Sequence, residues 1–292
     1  MTATLSLSSL SVALSGDPRR RLLRSVDLEV ARGEVHGLVG ESGAGKSMIG
    51  RTVFGILPRA VGILGGTVAF EGKDLLSRTE LRHLRGREMA LIPQDPLTAL
   101  NPSRRIGAQL TDRLVKVLGT PRKTADARAL TLLDEVQIRD PDRVMKSFPH
   151  ELSGGMRQRV LIAEAFAAEP KLIVADEPTT ALDVTVQKRI LGLIKAMQER
   201  HGAALLFVTH DMGVVAKITQ AMTVLYGGLV VEHGRTEDIL AGPKSAYTKA
   251  LLEATPRYDR PDDALRPVSP VTIAAIAEDV AAADRAFLDH AR

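Results

Sequence analysis

GESGAGKS at residues 40–47, followed in order by Gln94, LSGGM at 152–156, LIVADEPTTALD at 172–183 and His210, decides the fold of this 292-residue chain. The first segment fits G-x-x-x-x-G-K-[ST], in which glycines let backbone N–H groups approach phosphate oxygens and Lys46 adds a point charge. The apolar run VHGLV (35–39) leads into it and reads as a strand. KSMIGRTVFGIL (46–57) follows with apolar spacing that suits a helix. Strand, glycine loop and helix are the context such a loop requires, because a helix N-terminus aims unpaired N–H groups at an anion. A glycine turn before a surface lysine is the bland reading, and the later segments remove it.

Outward from the loop, short alternating or apolar runs bounded by turn residues read as strands: LSVAL near Ser11, SVDLEV from Ser25, GTVAFEG from Gly66 and EMALIPQ from Glu88. From about residue 102 to 169 the spacing turns helical, with Leu110, Leu114, Leu118 and then Ala129, Leu132, Leu133 and Val136 as expected buried faces. Strand patterns return at KLIVAD, ALLFVTHD and MTVLYGGLVVEHG, separated by a helical stretch over 184–200. Alternating strands and helices predict an α/β layer with a parallel core, its ligand at the carboxyl ends of the strands. After Leu240 comes AGPKSAYTKALLEATPR, then a polar, proline-bearing stretch through Pro270 that reads as a linker. The last 22 residues are alanine-rich and amphipathic and predict a helix.

The later segments carry the chemistry. In LIVADE a buried strand delivers two acids at its end: Asp176 is placed to help hold magnesium, and Glu177 to polarise an attacking water. Paired acids after a strand often face solvent, but a matched phosphate loop makes that reading the weaker one. Lys46 is expected to neutralise β- and γ-phosphate charge and Ser47 to offer its hydroxyl to magnesium. Gln94, just after the strand EMALIP, offers an amide to magnesium or water, and His210 offers an imidazole to the γ-phosphate; either alone is weak evidence, so position carries the inference. LSGGM places Ser153, Gly154 and Gly155 before a helix, a second anion-binding helix start. One nucleotide has no need of two such sites in one monomer. A two-subunit arrangement resolves this, each nucleotide being held between the phosphate loop of one subunit and the Ser-Gly-Gly of the other.

Composition bounds the rest. With 45% hydrophobic residues the chain can bury a full core. A formal charge of +4 on 39 basic and 35 acidic residues describes a mixed surface, not a nucleic-acid-sized basic patch. Zero cysteines exclude disulfides and Cys-ligated zinc or iron–sulfur clusters within this sequence. No stretch approaches about 20 continuous apolar residues, and MTATLSLSSL lacks the basic start and apolar core of a signal peptide. A soluble, cytoplasmic chain is the expectation.

Together, GESGAGKS, Gln94, LSGGMRQR, LIVADEPTTALD and the His210 segment resemble the nucleotide-binding subunit of an ABC transporter, over roughly residues 5–240. QDPLTALNP from Gln94 and AYTKALLEATPR from Ala246 further resemble the oligopeptide, dipeptide and nickel importer subfamily. The resemblance implies an α/β phosphate-loop cassette with a mixed sheet core: a nucleotide-binding domain at 1–240, a helical subdomain inserted at about 102–169, and a C-terminal extension at 241–292. It implies that ATP is bound by Gly40, Glu41, Ser42, Gly43, Ala44, Gly45, Lys46 and Ser47. Ser153, Gly154 and Gly155 would serve the partner's nucleotide, with Asp183 in the loop that crosses between subunits. Glu177, His210 and Gln94 would be catalytic, and Ser47, Gln94 and Asp176 would hold Mg2+. The surface around residues 94–105 would receive a coupling helix from a permease.

The sequence departs from the family twice. An aromatic usually stacks on adenine from the first strand region, whereas here the nearest position is Leu14 and no aromatic occurs before Phe54; Leu14 or one of Arg19, Arg20 and Arg21 is expected to cover the ring. The cysteine-rich C-terminal segment of many relatives is absent. The expectation is therefore an ATPase subunit of an importer for peptides or similar small solutes, peripheral at the cytoplasmic face of the inner membrane. It would work with two permease subunits, a second ABC ATPase subunit that is either a copy or a homologous partner, and indirectly an extracytoplasmic solute-binding protein, with no nucleic acid. A soluble ABC-type ATPase not tied to a permease is the alternative; it is disfavoured by one cassette, no sustained heptads and no cysteines.

Overall fold

The alternating runs become strands in the computed structural model, which describes residues 3–180, 183–255 and 268–290. In chain order the first elements are β1 (Ala3–Leu14), β2 (Asp17–Ala31), β3 (Val35–Val39), α1 (Lys46–Val53), β4 (Val61–Phe70), β5 (Lys73–Asp74) and α2 (Arg78–Leu84). Then come β6 (Met89–Ile92), α3 (Pro96–Ala99), α4 (Ile106–Leu118), α5 (Arg122–Glu135), α6 (Pro141–Lys146), α7 (Gly154–Phe166), β7 (Leu172–Asp176) and α8 (Val184–His201). The chain closes with β8 (Ala204–Thr209), α9 (Met212–Ile218), β9 (Ala221–Tyr226), β10 (Leu229–Arg235), α10 (Thr236–Ala241), α11 (Ala246–Glu253) and α12 (Pro270–His290). The elements gather into two compact units, one from the residues up to Leu81 and from Leu206 onward, the other from Arg82 to Leu205.

In the first unit, β2, β1, β4 and β5 form an antiparallel sheet in that order. Register places Leu7 opposite both Leu28 and Val68, and Leu5 opposite Phe70, so the period-2 apolar residues of three strands share one buried face. A second layer pairs β3 with β9 in parallel, Gly37 opposite Met222 and Val39 opposite Val224. β9 then turns through Gly227 and Gly228 into antiparallel β10. The sheet is thus mixed, because MTVLYGGLVVEHG is a hairpin whose two glycines make the turn. VHGLV is buried at every position, as a strand covered on both faces must be. Val39, Met212, Val215, Met222 and Val224 form one core cluster with Tyr247, Leu251 and Ile276 of α11 and α12. The last two helices therefore complete the core beside the strand that feeds the glycine loop.

In the second unit, β6 and β7 pair in parallel, Met89 opposite Leu172 and Leu91 opposite Val174. Helices α3 to α7 lie between them in sequence. Leu110 and Leu114 of α4 and Ala129, Leu132 and Leu133 of α5 are buried, as is Val136. Leu118 departs from its expected burial: it ends α4 beside the Gly119 cap and is 39% exposed. The helix expected over 46–57 stops at Val53. Gly55, at φ +58, leaves helical geometry, and a Cβ there would meet Leu81 Cδ2 at 2.3 Å. The proline-bearing stretch read as a linker falls largely on 256–267, outside the described residues.

Candidate nucleotide site

The glycine loop runs from the end of β3 into α1. Gly40 opens it where no side chain fits, since a Cβ would lie 2.1 Å from the carbonyl oxygen of Leu225 on β9. Lys46 is 4% exposed and arches back over the loop, donating from Nζ to the carbonyl oxygens of Gly40 at 2.8 Å and Glu41 at 2.9 Å. An ammonium in this position is held at the mouth of the loop and not splayed into solvent. Ala44 is buried, whereas Glu41, Ser42 and Gly43 are exposed and Gly45 and Ser47 are half-buried. Gly45 is the N-cap of α1 and supplies no side-chain cap, while the Met48 and Ile49 N–H groups donate to its carbonyl at 3.0 and 3.3 Å.

The loop is also tied from the far end of the chain. The Glu41 backbone N–H donates to Tyr247 Oη at 3.3 Å. Tyr247 is fully buried and packs edge-on against Tyr226, ring centroids 4.9 Å apart. Burial pushes its phenol up to about 12, against the opposing effect of the hydrogen bond from Glu41. Tyr247 lies in AYTKALLEATPR, a segment whose resemblance was legible but whose contact with the loop was not.

His210 follows β8 and is exposed, one residue before a firm helix start. Asp211 caps α9, accepting from the N–H groups of Gly213 at 2.8 Å and Val214 at 3.2 Å, while its own N–H donates to Thr209 Oγ1 at 3.1 Å. His210 is thus carried on backbone fixed on both sides.

In the second unit, β7 delivers Asp176 and Glu177, both half-buried. Glu177 has φ +46, a left-handed conformation that a glutamate rarely adopts and that marks a backbone constrained by its surroundings. Its carboxylate Oε2 accepts from Gln94 Nε2 at 3.2 Å and from Thr180 Oγ1 at 2.8 Å. Gln94 and Glu177, 83 residues apart, are brought together. Thr180 is a site residue that sequence reasoning passed over, although it stands in the quoted LIVADEPTTALD at the i+3 position that lets a hydroxyl reach back. Two neutral donors on one carboxylate oxygen orient it.

Ser153 caps α7, accepting from the Met156 N–H at 3.3 Å, and Gly154 and Gly155 open that helix. Asp183 caps α8, accepting from the Val186 N–H at 2.9 Å. The two helix starts adjoin: a Cβ on Gly155 would meet Val186 Cγ1 at 3.5 Å. Of the arginines considered for the base, Arg19 and Arg20 are exposed, but the Arg21 side chain is 2% exposed and engaged by α12. Leu14, ending β1, is half-buried.

Residues 23–180 match the family described as ABC transporter, and residues 231–278 match the oligopeptide/dipeptide transporter C-terminal region. The chain belongs to the ABC transporter family. Its fold is the ATPase cassette of that family, with the C-terminal region of the oligopeptide/dipeptide branch. Among its relatives, the probable D,D-dipeptide transport ATP-binding protein DdpD of Escherichia coli (strain K12) is 46% identical over 254 residues, 86% of this chain and 77% of that protein. The oligopeptide transport ATP-binding protein OppD of Bacillus subtilis (strain 168) is 45% identical over 240 residues, 81% of this chain and 67% of the relative. Among solved structures, cbiO1 from Clostridium perfringens, part of the ABC transporter complex cbiONQ, superposes with a TM-score of 0.73 at 26% identity, covering 89% of this chain and 97% of that one. The ATP-binding cassette MJ0796, solved as a dimer in a post-hydrolysis state with ADP and Pi, gives a TM-score of 0.69 at 25% identity over 80% of this chain and 98% of its own.

Proposed function

We propose that this ABC cassette is the ATP-hydrolysing subunit of an importer, in which ATP-driven closure of two such subunits moves a permease and admits peptides or similar small solutes. The match of residues 231–278 to the oligopeptide/dipeptide C-terminal region carries this reading. The names of the relatives, which assign them dipeptide and oligopeptide transport, support it.

In this account residues 1–240 form the nucleotide-binding domain, with a helical subdomain at about 102–169, and residues 241–292 form an extension. Residues Gly40 to Ser47 cradle the phosphates, and Lys46, whose Nζ donates to the Gly40 and Glu41 carbonyls, counters the β- and γ-phosphate charge. Glu177 takes the proton of the attacking water as the bond from the γ-phosphorus to its bridging oxygen breaks, leaving ADP and phosphate. Gln94 and Thr180 aim that carboxylate, and His210 addresses the γ-phosphate. Ser153, Gly154 and Gly155 hold the nucleotide of the partner subunit, Asp183 standing at the crossing. ATP favours the closed pair, and loss of the γ-phosphate removes the preference.

Mg2+ fits the donors available. Ser47, Asp176 and the oxygen of Gln94, whose nitrogen is turned to Glu177, are hard oxygen ligands. When bound, magnesium neutralises charge on the β- and γ-phosphates.

The partners are two permease subunits, a second ATPase subunit that is a copy or a homologue, and indirectly an extracytoplasmic solute-binding protein, at the cytoplasmic face of the inner membrane. No helix among the described residues is long and apolar enough to cross a membrane. Leu97 on α3, 64% exposed, offers an apolar contact where a permease helix would dock. Reconstitution with its cognate permease pair tests the proposal: the parent chain should drive ATP-dependent peptide uptake and Glu177→Gln should not. Uptake that persists with Glu177→Gln, or no stimulation of the ATPase by the permease pair, would overturn it.

A further inference from the structure

The sequence beyond residue 278 lies outside both family matches, yet Asp284 there meets two arginines of β2. Asp284 of α12 receives a two-pronged contact from Arg24 on β2, Nε to Oδ1 and Nη2 to Oδ2, each at 2.9 Å. Arg21 adds Nε to Oδ1 at 2.7 Å and also donates to the carbonyl of Ala283, and its guanidinium carbon lies 4.5 Å from the centre of the Phe287 ring. The Arg21 and Arg24 side chains are 2% and 11% exposed, so this is a largely dehydrated fork and not a surface pair.

From Arg24 the contacts continue to the phosphate loop. Its remaining nitrogen, Nη1, donates to the carbonyl of Gly227 at the β9–β10 turn. Its backbone N–H donates to the Gly228 carbonyl at 2.8 Å, and the Gly228 N–H donates to the carbonyl of Ala44 at 2.8 Å. α12 presses on the same turn: a Cβ on Gly227 would meet Val280 at 3.2 Å. A cavity of about 390 Å³ separates loop residues 41–44 from Ala277 and Val280, so the helix flanks the loop and reaches it through the turn.

We infer that Asp284 is a positioning residue for the phosphate loop, acting through Arg24 and the β9–β10 turn on Ala44. A loop carbonyl anchored outward turns the loop's N–H groups inward, where preorganised donors bind phosphate without reorganisation. Burial alone would raise the Asp284 carboxyl; hydrogen bonds from Arg24 and Arg21 overcome that and hold it below the usual carboxylate range, so it is charged at neutral pH. The inference rests on the reading of residues 40–47 as the phosphate cradle.

The test is Mg-ATP titration and steady-state ATPase kinetics on the full chain carrying Asp284→Asn, which turns one acceptor oxygen into a donor facing a guanidinium. KM and the dissociation constant should rise about 5-fold, with kcat within about 2-fold. Asp284→Glu should restore most of the affinity, and adding Arg24→Lys to Asp284→Asn should cost little more than either alone, because both break one chain of contacts. A purely structural role predicts a lower active fraction, hence a lower apparent kcat with KM unchanged; that result, or additive losses in the double variant, would overturn the inference. Lys46→Ala in the same assay separates the two readings. If it abolishes binding while Asp284→Asn does nothing, only the positioning role fails; if it leaves binding intact, the cradle assignment fails first.

Discussion

The Tyr247 hydroxyl accepts a hydrogen bond from the Glu41 N–H at 3.3 Å, joining a helix near the end of the chain to the second residue of the glycine loop across 206 positions. Tyr247→Phe keeps the buried ring and deletes only this bond. The variant should lose about 0.5–1.5 kcal/mol of stability, read by urea denaturation. Because burial raises the folded phenol from 10.0 to about 12, the stabilisation of its neutral form is complete below pH 10 and is lost as pH rises from 10 to 12. The parent protein's urea midpoint should therefore fall more steeply over that window than the variant's. Parallel curves would show that another group governs the alkaline limit.

Discrimination between ATP and GTP should be weak. Leu14 is an aliphatic residue at the end of β1, and the most buried of the candidate arginines, Arg21, is committed to Asp284 and Phe287. Apolar cover alone reads little of a base edge, since discrimination requires matched hydrogen-bonding groups. Competition binding should give similar affinities for the two nucleotides; a large preference for ATP would mean that another residue reads the base.

What could be read from sequence and what could not divide by range. Glycine spacing, the buried run LIVAD with its terminal acids, and the alternation in GTVAFEG are local, and local periodicity reports local geometry. The Gln94 to Glu177 contact was out of reach as a distance, although both residues stood in quoted segments. Arg21 illustrates the limit: alternation on β2 buries Arg21 and Leu23 while Arg20 faces out, but nothing near it announces a carboxylate 263 residues away. Likewise AYTKALLEATPR was legible only as a resemblance, and the fold alone shows its tyrosine buried in a core and hydrogen-bonded to the glycine loop. Helix α1 ends early for a legible reason, the Gly55 turn, which the apolar spacing of FGIL outweighed.

Chemistry and binding should separate at Glu177. Glu177→Gln keeps the size and a hydrogen-bonding oxygen for Gln94 and Thr180 but cannot take a proton. Turnover should fall about 100-fold to 10,000-fold with little loss of nucleotide affinity. Size-exclusion chromatography with Mg-ATP and the proper partner subunit should show a longer-lived closed pair than the parent forms. Turnover at the parent rate would move the catalytic role to Asp176 or His210.

The most direct measurement is nucleotide titration of Lys46→Ala, since Lys46 Nζ sits on the carbonyls of Gly40 and Glu41 at the mouth of the loop. With the charge removed, the β- and γ-phosphates lose their nearest protein cation, and ATP binding and turnover should both be abolished in a protein that remains folded. Unchanged ATP affinity and turnover in that variant would contradict the assignment of residues 40–47 as the phosphate cradle, and with it the account of this chain as an ATP-driven subunit.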